Sequence, residues 1–547
     1  MLERIRLWAG AFRVSSANPR LRHVQAARLA SVTGRWAYTV TLAVYAYHWA
    51  GAGGVAIAGI VRLAPGALVA PLAGAFTARG RTGAVLLRGG VVRTLALAGA
   101  GALILAGAPA VAVYVLVAVE SAASTLLRPL QNALLPLLSR TPEELTSATL
   151  TLSVIESAGV LLGPLLGALL LHDTSVGIVF EAAAVAYAVS TVLLLPVRHS
   201  DAPVRPDAQR ARLFAGAVDG ARAVAADRDA RVIVTLYGAQ NLAAGALNVL
   251  IVVSALQLLG MGESGVGTLT AALGFGGVVG GALVFARLRR GRYAADLRVG
   301  LLLWGIPLVL LALVSSEVAA LILLVVVGVG VTIVDVSAVT LLQRNADGEL
   351  LPHALGLLQS VFVASVGLGT LLAPLLVDGL GIRGALLVTG ALLPILAAAL
   401  WRRLRRLDTT SAADFELVAL LAAIPIFAPL STPARERLAL WLRAEALEAG
   451  ETIFAQGDDG DGFYAVQTGE VEVLVDGELV RTLGAGGYFG EIALLRDVPR
   501  TATVRTRSAV RLQRLDRERF LAIVAGNTAS SAAADAVVGA RLGFLAG

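Results

Sequence analysis

Apolar segments of roughly 20 residues recur along about the first 400 residues of this chain, separated by short polar or glycine-rich connections. A segment of that length crosses the hydrocarbon core of a bilayer, about 30 Å thick, as an α-helix. The chain has 547 residues, of which 57% are hydrophobic and only 15% are charged. That balance is unlike a soluble globular protein, so the sequence predicts a multi-pass membrane protein.

Twelve spans account for the apolar segments and sort the arginines into two classes of connection. The predicted spans lie at 28–50, 54–78, 83–107, 109–135, 148–171, 175–196, 231–259, 264–288, 296–315, 317–342, 354–378 and 384–401. All 45 basic residues are Arg, and those between spans fall in alternate connections, with Arg383 as the exception. Because arginine-rich connections stay in the cytoplasm, we expect both termini there and the protein in the inner (plasma) membrane.

A long polar connection at 197–230 separates the spans into two sets of six. The segment "GAFTARGRTG" after span two is echoed by "GALVFARLRRGR" after span eight. Repeated six-helix halves joined by a polar connection are typical of two-bundle transporters. We therefore expect an N-terminal half at 1–196, a cytoplasmic linker at 197–230 and a C-terminal half at 231–406.

Two motifs in the first half resemble those of a known transporter family. "LLRPLQNALLPLLSRTPEELTSA" is similar to the end of span four and the next loop in multidrug and siderophore exporters of the major facilitator superfamily. "ESAGVLLGPLLGALL" is similar to the antiporter motif of that superfamily, with Gly159, Gly163, Pro164 and Gly167 in place. The resemblance implies an all-α twelve-helix transmembrane bundle, alternating access and efflux of a small molecule. From the residues alone, glycines at every fourth position also indicate ordinary close helix packing.

Glu120, Glu156, Glu181 and Asp335 are acids inside predicted spans, where a charge is costly unless it faces water or a partner. Glu120 and Glu156 lie on spans four and five beside these motifs, and Asp335 lies on span ten. A carboxylate at such a depth can carry a proton across the membrane, so these three are candidates for proton coupling. A structural ion pair with an intramembrane arginine is the alternative.

The composition changes after Arg406. Residues 407–415 predict a polar linker, and residues 416–547 are enough for one soluble domain. The pattern up to about residue 450 predicts a helix, a turn and a second helix. Short strands cut by Gly and Asp follow in "ETIFAQ", "GFYAVQ", "GEVEVLV" and "ELVRTLG". Two helical patterns close the chain.

The motif "FGEIAL", then four residues and then "PRTATV", closely resembles the phosphate-binding cassette of cyclic-nucleotide-binding domains. These domains occur in the bacterial catabolite activator and in the cAMP-dependent kinase regulatory subunit. The resemblance implies an α+β domain with a β-roll and flanking helices. The ligand-binding residues that it implies are Gly490, Glu491, Ile492, Ala493, Arg500, Thr501 and Phe544.

The chemistry of these residues suits a cyclic nucleotide, which carries one phosphodiester charge and a ribose 2′-OH. Gly490 lets the backbone approach a ligand closely, and the N–H groups of Ile492 and Ala493 can point at the phosphate. Arg500 can make a charge-assisted, bidentate contact with phosphate oxygens. Glu491 can accept a hydrogen bond from the 2′-OH, which would exclude a deoxyribose.

The remaining two residues would contact the ligand's outer parts. Thr501 can donate to the phosphate or the base, and Phe544 can cover the base or simply pack the C-terminus. For the motif as a whole, the alternative is a β-hairpin with a surface ion pair between Glu491 and Arg500. The chain contains arginine but no lysine, which is typical of a GC-rich genome and indicates a bacterial source. We favour cyclic AMP over cyclic GMP because of that source.

The two parts together predict a cyclic-nucleotide-regulated, proton-coupled exporter of small molecules. A membrane-anchored nucleotide receptor with little or no transport, and an importer, are the alternatives. The chain has no Cys, which excludes a thiolate metal site. It shows no P-loop or catalytic triad. We therefore expect no enzymatic activity, no metal, no cofactor beyond the regulatory nucleotide, and no nucleic-acid partner.

Overall fold

The structure is a computed structural model that describes residues 15, 17–77, 82–197, 222, 224, 227–287, 293–345, 351–430 and 432–545. The chain divides into two compact units, Met1–Arg405 and Arg406–Gly547. The first unit is helical and the second contains two antiparallel sheets with flanking helices.

Ten helices in the described part of the first unit are long and apolar enough to cross a membrane. They are α1 (Pro19–Thr77), α2 (Thr82–Leu105), α3 (Ala110–Leu138), α4 (Pro142–Asp173), α5 (Val176–Leu193), α6 (Arg228–Val253), α7 (Gly262–Arg287), α8 (Tyr293–Leu311), α9 (Glu317–Asn345) and α10 (Leu351–Ala399). A 3₁₀ turn, Leu195–Val197, follows α5, and a π-helical turn, Ser254–Leu258, follows α6.

Two of these helices contain a non-helical break that divides each into two segments. The break in α1 falls at Ala50 and Gly51, where Gly51 has φ 58°. The break in α10 falls at Gly381, with φ 71°. Glycine adopts these left-handed angles without the steric cost of a Cβ. The ten helices therefore comprise twelve segments, which correspond in order to the twelve predicted spans.

Some helices begin earlier than the apolar pattern predicts. The first starts at Pro19 rather than at 28, and α4 starts at Pro142 rather than at 148. Polar contacts stabilise these outer turns: the Asn18 amide donates to the Leu138 carbonyl (2.9 Å) and to Glu144 (3.1 Å). Hydropathy detects only the part of a helix that is apolar, so polar first turns escape it.

Helix α4 packs closely on α1 through a face of glycines. A Cβ added at Gly159 would lie 2.2 Å from a methyl group of Val32, and one added at Gly163 would lie 2.4 Å from the Cβ of Trp36. Real atoms do not approach so closely, so only glycine allows the two backbones to meet here. The face that the antiporter-like motif presents is thus a helix-packing surface against α1.

The second half contains a matching contact between α6 and α10. A Cβ at Gly245 would lie 2.1 Å from the Val366 carbonyl oxygen, and one at Gly369 would lie 1.8 Å from the Leu242 carbonyl oxygen. The first and fifth spans of each half therefore meet at glycine. This correspondence supports the internal repeat indicated by the sequence.

The second unit contains two four-stranded sheets and five helices. Its helices are α11 (Trp401–Ala423), which runs across the division between the units, α12 (Thr432–Ala439), α13 (Glu491–Arg496), α14 (Arg517–Ala525) and α15 (Thr528–Leu545). Its strands are β1 (Arg443–Leu447), β2 (Thr452–Phe454), β3 (Gly462–Thr468), β4 (Val471–Val475), β5 (Glu478–Leu483), β6 (Tyr488–Phe489), β7 (Thr503–Thr506) and β8 (Val510–Asp516). The sheet orders are β1-β8-β3-β6 and β2-β7-β4-β5.

Two apolar clusters hold this unit together. One includes Val466, Val471 and Leu512 and is built from the strands. The other joins the helices to β3, where the fully buried rings of Phe463 and Phe520 stack 5.1 Å apart. Aromatic pairs of this kind add to the burial of apolar area. They anchor α14, which follows β8, to the sheet.

Residues 407–415, predicted as a linker, are helical and belong to α11, and their role as a linker stays a prediction. One other expectation for this region is wrong. Residues 443–447, expected to be helical, form strand β1, which pairs with β8 from Arg443–Arg514 to Leu447–Val510. The partner strand lies more than 60 residues later in the chain, so the local pattern of "RAEAL" did not indicate it.

Candidate functional site

The turn between β6 and α13 requires glycine. Gly490 has φ 91°, in the left-handed region. A Cβ at this position would lie 2.7 Å from Nη1 of Arg500 and 2.9 Å from the Gly462 carbonyl oxygen. Both the backbone angle and the surrounding space therefore exclude a side chain, and the backbone comes directly against the Arg500 guanidinium.

Arg500 is buried, with its side chain 1% exposed. Its Nη2 donates to Asp461 (2.7 Å) and to the Gly462 carbonyl (2.8 Å), and its Nη1 donates to the Gly490 carbonyl (3.0 Å). The guanidinium carbon lies 4.0 Å from the ring centroid of Phe454. Its buried Nε has no hydrogen-bond partner among the described residues. A guanidinium has five N–H groups, so donors remain for a further acceptor.

Glu491 is fully buried at the first position of α13. Its Oε1 accepts a hydrogen bond of 2.6 Å from Arg541 on α15. Its buried Oε2 has no partner within the described part of the chain. Burial raises the pKa of Glu491, and the Arg541 guanidinium opposes that rise. Arg541 thus favours the charged carboxylate and leaves one of its oxygens available to a donor.

Glu491 and Arg500 do not pair with each other. Their partners are Arg541 and Asp461, and neither side chain lies at the surface. The alternative interpretation, a hairpin with a surface ion pair between these two residues, is therefore wrong. The domain instead buries one cation and one anion next to a glycine turn, each with an unused polar atom.

The remaining predicted residues are Ile492, Ala493, Thr501 and Phe544. Ile492 and Ala493 belong to the first turn of α13, where backbone N–H groups have no partner within the helix. Thr501 is partly exposed, and its side chain makes no hydrogen bond to the described residues. Phe544 belongs to α15, but its side chain lies outside the described residues, so its predicted role stays a prediction.

Sequence reasoning missed Asp461 and Arg541, the two residues that hold the buried charges. Asp461 also accepts a hydrogen bond of 2.8 Å from Arg514, so it links two arginines. Burial raises the pKa of Tyr464 to about 12, and the nearby Asp461 carboxylate contributes to that rise. The acidic run "GDDGD" before β3 was a visible signal for Asp461, but nothing local distinguishes Arg541.

In the membrane unit, Glu120 lies in a buried polar cluster. It accepts hydrogen bonds from Tyr38 (2.5 Å), Ser124 (2.6 Å) and Tyr187 (3.0 Å). The guanidinium carbon of Arg93 lies 3.9 Å from the Tyr187 ring centroid. The carboxylate is therefore solvated by hydroxyl groups rather than by direct contact with a cation.

The other two acids have contrasting surroundings. Glu156 forms ion pairs with Arg28 and with Arg35, the second at 3.2 Å. Asp335 is partly buried in α9 and makes no hydrogen bond or ion pair with the described residues. The three acids thus differ in their partners. Glu156 is ion-paired, Glu120 accepts hydrogen bonds from hydroxyl groups, and Asp335 has no partner among the described residues.

Over the ranges that the structure describes, no group of three or more His and acidic side chains could hold a metal ion.

Two family models match segments of the chain. Residues 233–445 match the family model of the Major Facilitator Superfamily, and residues 444–527 match that of the Cyclic nucleotide-binding domain. A cAMP-dependent protein kinase regulatory subunit from Yarrowia lipolytica (strain CLIB 122 / E 150) is 40% identical over 102 residues. That match covers 18% of this chain and 27% of the relative, so the chain spans about a quarter of that protein's length.

A solved structure also matches the C-terminal part. It is a co-crystal structure of the regulatory domain of Toxoplasma gondii PKA with cAMP, 37% identical in sequence. The match covers 20% of this chain and 44% of that chain, with a TM-score of 0.20.

Proposed function

We propose that this chain, in which a major facilitator superfamily domain is joined to a C-terminal cyclic nucleotide-binding domain, is a cyclic-nucleotide-regulated secondary transporter. The predicted fusion and its fold class, a membrane helix bundle with an α+β nucleotide-binding domain, are confirmed by these matches. With ten long apolar helices in its described part, the chain is a multi-pass membrane protein. The proposed activity is movement of a small molecule rather than catalysis.

One observation supports the proposed regulation by a nucleotide. Arg500 and Glu491 are both buried beside Gly490, and each keeps a polar atom without a hydrogen-bond partner among the described residues. Arg500 has N–H groups to spare and Glu491 has a free Oε2. A cyclic nucleotide presents one anionic phosphodiester and one hydroxyl group, which match a cation and a carboxylate. In this assignment Arg500 and the N–H groups of Ile492 and Ala493 hold the phosphate, and Glu491 accepts from the ribose 2′-OH.

We assign cyclic AMP as the regulatory ligand. The support is the relative named as a cAMP-dependent protein kinase regulatory subunit, which is 40% identical across this region. Thr501 follows Arg500 directly and is partly exposed, and we assign it a hydrogen bond to the phosphate or the base. Cyclic GMP is the competing ligand in a binding assay.

We propose that the membrane unit works by alternating access. At the end of the bundle where the connections lack arginine, Gln257 donates to the Tyr47 hydroxyl (2.6 Å), and His48 lies 3.7 Å from Glu263. Both contacts join the first half to the second. Arg140, Arg228 and Arg403 lie towards the opposite end, which we place in the cytoplasm by the positive-inside rule. Contacts that close the outer mouth would then have to break during transport.

The direction and coupling that we propose are export in exchange for protons. The support is the antiporter-like motif on α4. Among the three candidate acids we favour Glu120 and Asp335 as proton carriers, because Glu156 is held by two guanidinium groups. Releasing a carboxylate from two cations costs more than releasing one from hydroxyl groups. Glu156 is then a structural residue.

Replacement of Arg500 by Gln should lower the affinity of the purified protein for cyclic AMP by about 10- to 100-fold. The lost contact is a charged hydrogen bond, worth roughly 1.5–3 kcal/mol. Arg505→Gln is the matched control, because Arg505 lies close in sequence but forms an exposed ion pair with Glu472. Isothermal titration calorimetry measures both, with cyclic GMP titrated in parallel. Equal affinities in the two variants would remove Arg500 from the site.

Alanine variants at two glycines distinguish a loss of ligand contact from a loss of folding. Gly490 and Gly477 both have left-handed φ, 91° and 86°, but a Cβ at Gly477 would meet nothing within 4 Å. Alanine at either position costs about 1–2 kcal/mol in backbone strain. Only Gly490→Ala also pushes on Arg500, so only this variant should lose nucleotide affinity.

A disulfide between the halves should stop transport in an oxidant-dependent manner. A Cβ at Gly59 would lie 4.0 Å from the Cβ of Thr370 in the other half, within the range for a disulfide. Gly66 and Thr125 offer a control pair at 3.8 Å inside the first half. Since the chain has no Cys, each double cysteine variant contains only the introduced thiols.

Substrate flux in proteoliposomes is the readout for both pairs. Oxidised Gly59→Cys/Thr370→Cys should lose flux and recover it with dithiothreitol, whereas Gly66→Cys/Thr125→Cys should be unaffected. Undiminished flux through the fully oxidised inter-half pair would contradict alternating access.

Neutral amide replacements test the assignment of the proton. Glu120→Gln and Asp335→Asn should each abolish the dependence of flux on a pH gradient while leaving substrate binding in place, because an amide cannot bind and release a proton. Glu156→Gln should retain that dependence and lower thermal stability. The assignment is wrong if Glu156→Gln alone uncouples transport.

A further inference from the structure

A basic cavity of about 490 Å³ lies where α6 begins and α10 ends. Its lining is Arg228, Arg231, Val232, Thr235, Leu400 and Arg403. Three arginines and one threonine therefore line a single space, together with two apolar residues. None of the lining residues within the described part of the chain is acidic.

The three arginines are exposed and have no ion-pair partner among the described residues. Two acids, Asp227 and Asp229, flank Arg228 in the chain. The Asp227 carboxylate caps α6 by accepting from the Asp229 N–H (2.8 Å), and neither acid lines the cavity. Like charges collected in one cavity repel each other, so this arrangement is more stable with an anion bound. Arginine forks fit the oxygens of a phosphate particularly well.

The position of the cavity indicates which kind of phosphate-containing molecule would reach it. Trp401 follows Leu400 directly and is 43% exposed, as expected for a tryptophan at a membrane interface. Ile395 on α10, which precedes Leu400 in the chain, is 63% exposed, as expected for an apolar side chain that faces lipid. The cavity thus combines three arginines with the apolar residues Val232 and Leu400, near a part of α10 that faces lipid.

We propose that this cavity binds the phosphate headgroup of an anionic phospholipid, with Arg228, Arg231 and Arg403 on the phosphate and Leu400 against the upper acyl chain. The ligand bridges the first span of the C-terminal half and the end of its last span. Its assignment to the cytoplasmic leaflet rests on the proposed orientation, but binding itself does not depend on nucleotide or transport.

Binding of dioleoylphosphatidylglycerol to the full-length protein in detergent micelles, followed by native mass spectrometry, tests the proposal. Each basic residue near a lipid surface contributes about fivefold in affinity. Arg231→Gln or Arg403→Gln should thus weaken binding about fivefold, and the double variant about 25-fold. Arg402→Gln is the matched control, because Arg402 is exposed beside Arg403 but does not line the cavity. Melting without lipid checks that each variant folds.

Several outcomes would overturn the proposal. One is equal weakening in Arg402→Gln and Arg403→Gln, which would indicate diffuse surface charge rather than a site. Another is equal binding of zwitterionic dioleoylphosphatidylcholine. Displacement of the lipid by glycerol phosphate at similar concentration would show that the cavity selects a soluble phosphate and not a lipid. Unchanged binding in the double variant would exclude the arginines altogether.

Discussion

Backbone contact between helices at glycine is the constraint on which the membrane unit depends. Lipid provides no hydrophobic drive for one apolar helix to join another, so helices associate through close packing. Gly163 on α4 and Gly369 on α10 would place a Cβ 2.4 Å from Trp36 and 1.8 Å from a carbonyl oxygen of Leu242. Each half is therefore held by contacts that no larger residue permits. Glycine contacts also join the halves, since a Cβ at Gly267 on α7 would lie 2.6 Å from the Pro164 carbonyl oxygen on α4.

The C-terminal domain depends on a different constraint, the cost of burying charge. An isolated buried ion is strongly unfavourable, and removing one member of a buried pair costs several kcal/mol. Arg500 and Glu491 are kept in place by Asp461 and Arg541. These partners come from the loop before β3 and from the last helix, so the site connects the β-roll to the C-terminus. A ligand that engages Glu491 would also act on Arg541, which offers a route from the site to α15.

The parts of this structure that the sequence predicts are those with local signals. Apolar length located the spans, glycine spacing located the packing face of α4, and the cassette motif located Gly490 and Arg500. Long-range partners were not accessible in that way: Asp461 lies 39 residues from Arg500, and Arg541 lies 50 residues from Glu491. Strand β1 was missed for the same reason, since its hydrogen-bond partner is β8. The polar first turns of α1 and α4 were missed because hydropathy identifies only the apolar part of a helix.

We propose that nucleotide binding at Arg500 controls transport by the membrane unit. Substrate flux in proteoliposomes, measured as cyclic AMP is titrated to the cytoplasmic face, tests this control when calorimetric binding is followed in the same preparation. Coupling free energies of about 1–3 kcal/mol would change the balance of states by about five- to 150-fold. We predict that flux changes with a midpoint equal to the dissociation constant, and that Arg500→Gln shifts that midpoint to about 10- to 100-fold higher cyclic AMP while retaining basal flux. Normal binding of cyclic AMP with flux indifferent to it would contradict the account.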